Sequence, residues 1–377
     1  MVNRSIDNLL YLFKKNLSIV FLFVVAFGLS IFLNQPISIL PSLVDWKTIV
    51  TLVGLLLTTT GIKESGLFYF LAYRISQQIN NQRLLSLFLI FLAAILSMFL
   101  TNDIALFIVV PLTLHLQSLS NDDYIKLVVF EAIAVNVGSS LTPIGNPQNI
   151  FLWHLWGISF PVFVKEMMPL VLIMALCLLF MALACFPSKT IQVENGQDHK
   201  VDKKLFVLSF TLLIFFIISI EMDFGRYFLA LIFLLMFFLY KKVVLKADWG
   251  LILLFIFLFI DLNLVCSLEI TRSVLGMLNL ADTKTLFLSG ALLPQLISNV
   301  PSAIILANHS NNFKLIAYGV NVGGNGLLIA SFANLVALRL SKKMCNYFAF
   351  HMYSISYFLI TLILTYWLLV EGSFRLL

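Results

Sequence analysis

The sequence predicts an all-α polytopic membrane protein whose apolar chain is interrupted by polar segments at membrane depth. Hydrophobic residues make up 61% of the chain and charged residues 11%, with 36 phenylalanines, which is far outside the composition of a soluble globular domain. Apolar runs recur along the chain, many of them close to the roughly 20 residues that a membrane-spanning helix needs. Two of the runs contain glycine- and asparagine-rich breaks, and such backbone survives in a membrane only against protein or a wet cavity.

We place about nine crossings on these runs. Their approximate ranges are 17–33, 46–60, 124–155, 168–186, 204–221, 226–240, 248–264, 313–340 and 346–370. The first run begins near Leu17 and lacks a small-residue cleavage pattern. We therefore expect it to remain as a transmembrane helix rather than to be removed as a signal peptide.

Two further apolar stretches, 84–117 and 285–310, are each cut by a polar triplet and are predicted to be re-entrant hairpins. The triplets are Thr101-Asn102-Asp103 and Ser298-Asn299-Val300. As helices, the arms of the second hairpin would be only about 20 and 14 Å long, too short for a hydrocarbon core of about 30 Å. The leading arm of the first hairpin, 84–100, would reach about 26 Å, so a full span is an alternative there.

The distribution of basic residues predicts the orientation of the chain. With the N-terminus in the cytoplasm and nine crossings, the C-terminus lies outside, and 17 of the 24 lysines and arginines fall on the cytoplasmic side. The positive-inside rule supports this topology. The net charge of +6 is therefore explained by membrane orientation, and we expect the lipid bilayer and no nucleic acid as a partner.

The order of these parts is duplicated, which predicts two inverted repeats joined by a cytoplasmic linker. The hydrophilic run 188–204 separates a first repeat, 1–187, from a second, 205–377. Each repeat has an amphipathic stretch, a hairpin and a long segment with a polar break. In the first repeat these are the amphipathic stretch 66–79, the hairpin 84–117 and the broken helix 124–155. In the second repeat they are the amphipathic stretch 266–279, the hairpin 285–310 and the broken helix 313–340.

The two broken segments also share sequence. Each begins its break with Val-Asn-Val-Gly, at Asn136 and at Asn321, and each has a second asparagine 13 residues later, at Asn149 and Asn334. Inverted repeats with interrupted helices are the sequence pattern of a secondary transporter.

The chemistry of the breaks suits ions of both signs. A continuous helix over 124–155 would be about 48 Å long, and Pro143 and Pro147 each remove a backbone donor, so the helix must break. A break exposes carbonyls that suit a cation and amides that suit an anion. We predict substrate or ion binding at Asn136, Gly138, Ser139, Ser140, Thr142, Gly145, Asn146, Asn149, Asn321, Gly323, Gly324, Asn325 and Asn334. The alternative is a pair of helix kinks whose polar residues satisfy one another in a packed bundle.

The hairpin tips add Thr101, Asn102, Asp103, Ser298 and Asn299 to the predicted site. The alternative for the tips is helix capping, for which asparagine, aspartate and serine are also suited.

Two carboxylates are expected inside the membrane, where each is costly unless paired, protonated or bound to a cation. Asp103 is the predicted coupling-ion or proton site, with a cap held by backbone amides as the alternative. Glu131, five residues before Asn136, is a second candidate proton carrier; its alternative is a pair with another residue or an interfacial position. Asp261 falls toward the outer end of its span, where we expect it to be solvated.

Catalysis and bound cofactors are not predicted. The histidines and the four cysteines lack metal-ligand spacing, so no metal is expected beyond a transient Na⁺. The sequence contains no Gly-x-x-x-x-Gly-Lys loop, so ATP is not expected to drive transport, and it contains no motif of an intramembrane enzyme. A passive channel is the alternative of a different class, but isolated polar centres favour occlusion over a continuous pore.

Three motifs carry a resemblance to a known group. The chain resembles the bacterial YbiR-type inner-membrane proteins at three motifs. They are the segment Phe99 to Phe107, which contains the first triplet, the segment Leu141-Thr142-Pro143-Ile144-Gly145-Asn146-Pro147-Gln148-Asn149, and the segment Ser298-Asn299-Val300-Pro301-Ser302. Those belong with the citrate-transporter-like, arsenite-pump and NhaD sodium/proton antiporter families. The resemblance implies a dimeric elevator transporter of a small anion in the bacterial inner membrane, similar in fold to the divalent-anion/sodium symporters and coupled to Na⁺ or H⁺.

The departures from related families limit what the resemblance implies. The divalent-anion/sodium symporters carry Ser-Asn-Thr at both hairpin tips, whereas both tips here lack the final threonine hydroxyl, which argues against carrying dicarboxylate specificity over. NhaD-type antiporters carry aspartate where this chain has Asn146, which weakens the interpretation as a cation antiporter. Arsenite pumps share the Asn-Asp pair of the first tip, which keeps an arsenite-type efflux permease as an alternative. A sodium/proton antiporter is the other alternative.

Overall fold

The computed structural model describes residues 17–115, 121–191, 201–341 and 347–372, and these ranges are helical almost throughout. No strand occurs within them; the one β-type contact is an isolated backbone bridge between Asn81 and Thr190. Both ends of the chain, Cys345 and most of the predicted linker 188–204 lie outside the described residues.

The first half of the described chain contains eight α-helices and one 3₁₀ segment, Ile37–Leu43. The helices are α1 (Leu17–Phe32), α2 (Trp46–Glu64), α3 (Leu67–Ser76), α4 (Gln82–Phe99), α5 (Asn102–His115), α6 (Asn121–Ser139), α7 (Pro147–Trp156) and α8 (Phe160–Cys185).

The second half contains eleven α-helices in the described ranges and a second 3₁₀ segment, Leu328–Ala330. The helices are α9 (Lys203–Glu221), α10 (Gly225–Leu239), α11 (Lys241–Lys246), α12 (Trp249–Ser267), α13 (Glu269–Gly276), α14 (Thr283–Leu292), α15 (Pro294–Ile297), α16 (Asn299–Ala307), α17 (Phe313–Gly323), α18 (Phe332–Leu340) and α19 (Tyr347–Thr365), which continues as a π-helical turn to Glu371.

The helix ends follow local sequence chemistry. Asp45, Asn81, Asp202 and Asp282 each accept a backbone N–H of the first turn that follows them, as N-cap side chains do. The predicted amphipathic stretches form the short helices α3 and α13. The span predicted at 168–186 begins earlier, at Phe160, because Pro161 and Pro169 both fit within α8.

Five described helices are long and apolar enough to cross a membrane: α4, α8, α9, α12 and α19 with its π-helical turn. A sixth span results if α1 and the first 3₁₀ segment, bent by 120°, count as one. The protein is therefore a multi-pass membrane protein. Four of the five coincide with predicted crossings, whereas α4 is the leading arm of the first predicted hairpin. By length and composition α4 suits a full span, which keeps that alternative open, and nine crossings remain a prediction.

The two broken segments pack in matching ways against the two predicted hairpins. α4 packs along α6, and α14 packs along α17. Glycine allows both contacts: a Cβ added at Gly138 would lie 1.9 Å from the Ala94 carbonyl oxygen, and one at Gly323 would lie 2.6 Å from that of Ala291. The second arms cross over, since α5 packs against α18 and α16 packs against α7. These contacts bring both breaks to one buried region.

Candidate functional site

The first break lies between α6 and α7 and is closed by its own asparagines. Asn146 caps α7, its Oδ1 accepting the Asn149 amide at 2.9 Å, and Pro147 occupies the first helical position, where no N–H is needed. The Asn149 Nδ2 then donates to the carbonyls of Ser139, Ser140 and Thr142 at 3.1–3.2 Å. These bonds satisfy carbonyls that the break leaves without a helical partner.

The second break, between α17 and α18, is closed in the same way. Ser331 caps α18 through its hydroxyl, which accepts the Ala333 amide at 3.3 Å. The Asn334 Nδ2 donates to the carbonyls of Gly324 at 3.1 Å and Leu327 at 3.3 Å. Along the sequence, Gly324 and Leu327 follow Asn321 by the same numbers of residues as Ser139 and Thr142 follow Asn136.

The first asparagine of each break is hydrogen-bonded to the second asparagine of the other. Asn136 Nδ2 donates to Asn334 Oδ1 at 2.9 Å, and Asn321 Nδ2 donates to Asn149 Oδ1 at 2.7 Å. We call these four residues the asparagine centre. Because each bond runs from the opening of one break to the closing turn of the other, the two broken helices are tied together reciprocally.

The capping residues extend this reciprocal pattern. Ser331 donates its hydroxyl to Asn136 Oδ1 at 3.1 Å, and Asn146 Nδ2 donates to Asn321 Oδ1 at 3.1 Å. Ser140 adds a hydroxyl donation to the same Asn321 oxygen at 3.0 Å. Ser331 was not among the predicted residues, although it follows Asn321 at the spacing at which Asn146 follows Asn136.

Burial decides which atoms of this region are free to bind. All four side chains of the asparagine centre are 5% exposed or less, and their amide groups are engaged by protein. This agrees with the alternative in which the breaks are helix kinks whose polar side chains bond one another. Two buried oxygens nearby disagree with it, because Gln148 Oε1 and Asn325 Oδ1 have no hydrogen-bond partner among the described residues. Unpaired buried acceptors are costly, so these two oxygens are candidate cation ligands.

The first hairpin tip lies against the first break. The Asn102 amide donates to the Gly145 carbonyl at 3.1 Å, and the Thr142 hydroxyl donates to the Met98 carbonyl at 2.6 Å. Asn102 Oδ1 accepts the Asp103 amide at 3.0 Å. Asp103 Oδ1 is itself buried with no hydrogen-bond partner in the described chain, so capping does not account for this oxygen.

The second hairpin tip lies against the second break. Gln295, which the sequence did not single out, donates to the Gly323 carbonyl at 2.6 Å and accepts the Leu327 amide at 2.8 Å. Ser298 has φ +74°, a sparsely populated backbone conformation for a non-glycine residue, and its side chain makes no capping bond. The Ser298 hydroxyl lies 3.4–3.5 Å from its nearest acceptors, at the limit for a hydrogen bond.

A cavity of about 290 Å³ opens beside this tip. Ser298 and Asn299 line it, together with apolar side chains from α1, α12 and α18. The second hairpin tip thus supplies the polar side chains of an otherwise apolar cavity.

Two other buried acids lie apart from the asparagine centre. Glu131, on α6, is fully buried and accepts a hydrogen bond from the Thr113 hydroxyl of α5, while its Oε2 has no partner among the described residues. The expectation of solvation for Asp261 is wrong. Asp261 is only 4% exposed on α12, a helix against which α1, α2, α13, α16 and the first 3₁₀ segment pack.

The histidines and cysteines form no cluster with acids that could hold a metal within the described ranges. His154 Nε2 is hydrogen-bonded to the Thr51 hydroxyl at 2.9 Å, His309 and His351 contact backbone groups, and the side chain of His115 lies outside the described residues.

Comparison with known proteins now gives the family. Residues 8–311 match the sequence profile of the citrate transporter family, CitMHS. The chain belongs to this family. The match includes both hairpin tips and the first break, and it ends before Asn321. The protein is therefore a secondary membrane transporter.

Individual relatives agree with this assignment. The chain is 42% identical to the inner membrane protein YbiR of Escherichia coli K12 over 350 residues, which cover 93% of this chain and 94% of the relative. It is 35% identical to the uncharacterized transporter MJ0456 of Methanocaldococcus jannaschii over 86% of this chain and 89% of the relative. A shorter similarity, 28% over 152 residues, covers 38% of this chain and 17% of the human P protein.

Proposed function

We propose that this citrate-family transporter carries a small anion, a carboxylate or an inorganic oxyanion, coupled to Na⁺ or H⁺. The anion binds between the two hairpin tips and the two broken helices. The observation that carries the proposal is the reciprocal bonding of the asparagine centre, which holds two helix breaks together at a buried position with one hairpin tip against each. Helix breaks present amides to anions and carbonyls to cations.

Charge balance supports cation coupling. Among the described side chains that make the bonds of this region none is basic, so an anion meets amides and hydroxyls but no lysine or arginine. Moving an uncompensated anion into such surroundings is costly. A co-bound cation supplies the missing charge, held by Gln148 Oε1, Asn325 Oδ1 or the carboxylate of Asp103.

The inverted repeats and an elevator motion belong to the same proposal. The matching contacts of α4 with α6 and of α14 with α17, and the crossed contacts of the second arms, favour a body of hairpins and broken helices that moves as a unit. We propose a homodimer in the bacterial inner membrane, with the N-terminus in the cytoplasm and the C-terminus outside.

Proteoliposome uptake tests the proposal. Purified protein is reconstituted and an inward Na⁺ or pH gradient is imposed, with citrate, dicarboxylates, sulfate, phosphate and arsenite as candidate substrates. We expect accumulation of at least one anion above its equilibrium level. Equilibration without accumulation would indicate a passive channel, and no flux of any candidate under either gradient would refute the proposal.

Asp103→Asn separates coupling from folding. The neutral variant should lose gradient-driven uptake while its thermal unfolding midpoint stays close to that of the unmodified protein, because the lost carboxylate oxygen has no hydrogen-bond partner among the described residues. Asp223→Asn is the matched control, since the Asp223 side chain is 87% exposed. Unchanged coupling in Asp103→Asn would remove Asp103 from the mechanism.

A further inference from the structure

Asp261 is the most isolated carboxyl in the described part of the chain. Its side chain is 4% exposed, and neither Oδ1 nor Oδ2 has a hydrogen-bond partner among the described residues. Glu131 has a hydrogen-bond partner at one carboxyl oxygen, and only one oxygen of Asp103 is fully buried, so Asp261 alone of the three has two fully buried oxygens without a partner among the described residues. A carboxylate in this situation is costly in a membrane unless it is neutralised.

The position of Asp261 relates it to the second hairpin. Leu251, Leu254 and Leu258 of α12 line the cavity that contains Ser298 and Asn299. Asp261 follows Leu258 by three residues and therefore lies one turn further along the same face of α12. α12 packs against α16, the second arm of that hairpin, and against α1.

A polar contact joins α12 to the end of the hairpin just beyond Asp261. Asn308, which follows α16, donates to Asn263 Oδ1 at 3.3 Å, and Asn263 Nδ2 donates to the Leu43 carbonyl at 2.9 Å. A movement of the hairpin relative to α12 would break the first of these bonds and open the region around Asp261.

Among the described residues, the elements packed against α12 supply no positive charge that compensates Asp261, and Asp45, between the 3₁₀ segment and α2, is itself an acid that caps α2. α1, α16 and the 3₁₀ segment Ile37–Leu43 contain no ionisable residue. On α2, Lys47 pairs with Asp223 at 3.6 Å and its side chain is 73% exposed, while Lys63 and Glu64 lie at the opposite end of the helix. On α13, Glu269 and Arg272 are exposed, as is His309 after α16; Cys266 is buried further along α12.

The same neighbours offer few ligands for a metal cation. Metal cations such as Mg²⁺ and Ca²⁺ require six or more oxygens. Ile260 and Leu264, beside Asp261 on α12, are buried and apolar. The hydroxyls of Ser30 on α1 and Ser302 on α16 donate their protons to backbone carbonyls at 2.8 and 2.7 Å, so neither donates to the Asp261 carboxyl. A proton needs no further ligand.

We propose that Asp261 is a proton-binding site. Its carboxyl carries a proton in the conformation described here and releases it to water when the second hairpin, α14 to α16, moves away from α12. The bound proton is thereby linked to the position of the hairpin tip that lines the cavity. The hairpin movement rests on the proposed transport function, whereas the protonated state of the carboxyl does not.

Chemical labelling tests the protonated state on the unmodified protein. Dicyclohexylcarbodiimide reacts with protonated carboxyl groups in apolar surroundings, and mass spectrometry locates the adduct. We expect labelling at Asp261, with a rate that falls about tenfold per pH unit above its titration midpoint, and little labelling at the exposed Glu269. Absence of label at Asp261 from pH 5 to 9 would overturn the proposal, and so would suppression of the label by Na⁺ at constant pH, which would indicate a sodium site.

The Asp261→Asn variant provides a second test, because asparagine has the shape of the neutral acid. Reconstituted Asp261→Asn should retain exchange of substrate between equal pools on the two sides and should lose its response to an imposed pH gradient, while Glu269→Gln should retain both. A pH-gradient response in Asp261→Asn equal to that of the unmodified protein would overturn the link to transport. If the unmodified protein transports no anion at all, the proposed function fails, whereas the labelling result still decides the state of Asp261.

Discussion

The reciprocal asparagine bonds should be measurable as a coupling energy between residues nearly 200 positions apart. Asn136→Ala removes donations to the Asn334 Oδ1 and the Gly324 carbonyl and leaves the Ser331 hydroxyl without its acceptor. Side-chain hydrogen bonds in membrane proteins contribute about 0.6 kcal/mol on average and about 1 kcal/mol in soluble proteins, so three bonds give a loss of about 2–3 kcal/mol in the free energy of unfolding.

Asn321→Ala should cost more. Asn321 Nδ2 donates to Asn149 and to the Ala317 carbonyl, and its Oδ1 accepts from Ser140 and Asn146 within 3.1 Å. Four bonds on the same scale give about 2.5–4 kcal/mol, and the buried groups left unpaired add to that cost. Asn311→Ala is the control, because Asn311 is exposed in the loop before α17.

A double-mutant cycle isolates the crossed bond itself. The Asn136→Ala and Asn334→Ala variants are compared singly and together by reversible unfolding in bicelles or by steric trapping. We expect a coupling energy of about 0.6–1.7 kcal/mol for this pair and a value within about 0.5 kcal/mol of zero for Asn136 with Asn311. If Asn136 and Asn334 were as independent as that control pair, the two broken helices would not be joined as described.

Three further changes probe other parts of the site. Gly323→Ala places a Cβ 2.6 Å from a carbonyl oxygen of α14 and should lower stability by about 1–3 kcal/mol in thermal unfolding. Gly28→Ala, inside α1 with nothing within 4 Å of the added Cβ, should not lower stability and should raise it by up to about 1 kcal/mol; equal midpoints of the two variants would contradict the close packing. Thr113→Val removes the hydroxyl that donates to Glu131 and should cost about 1–3 kcal/mol, with Thr113→Ser restoring most of it; if serine and valine behave alike, the hydroxyl does not matter. Ser298→Ala should keep the unfolding midpoint, because the hydroxyl contacts are 3.4–3.5 Å long, and should reduce the thermal shift produced by a transported anion; an unchanged shift would exclude this hydroxyl from binding.

The helices and their interruptions were predictable because they follow from local chemistry. The apolar runs set the long helices, and the prolines at 143 and 147 forced the first break where the structure has it, with Asn146 as the cap. The second break contains no proline, and the matching Val-Asn-Val-Gly segment was needed to locate it. The number of crossings does not follow in this way, since α4 is long enough for a full span although the sequence predicts it as one arm of a hairpin.

The partners within the site were not predictable, because they depend on tertiary contacts. Nothing local indicates that Asn136 bonds Asn334 rather than its own Asn149, and a hydrophobic pattern gives no sign that Gln295 bridges a hairpin to a break. Asp261 shows the same limit. Its position near a helix end suggested solvent, but its burial depends on the helices that pack against α12, which the local sequence does not specify.

The division of polar atoms into engaged and unengaged groups bears on how the site works. The asparagine centre uses its amides to hold the two breaks together, and in the proposed function we assign these residues to positioning the site, while their predicted direct binding of an ion or substrate stays a prediction. The groups left for ligands are the tip hydroxyls and amides, the two unpartnered amide oxygens and the buried acids. Asp103 is the acid that lies at a hairpin tip, and in the proposed function a proton or Na⁺ neutralises it before the anion binds. Under that proposal coupling follows from electrostatics, because an anion is costly in the membrane interior without a cation.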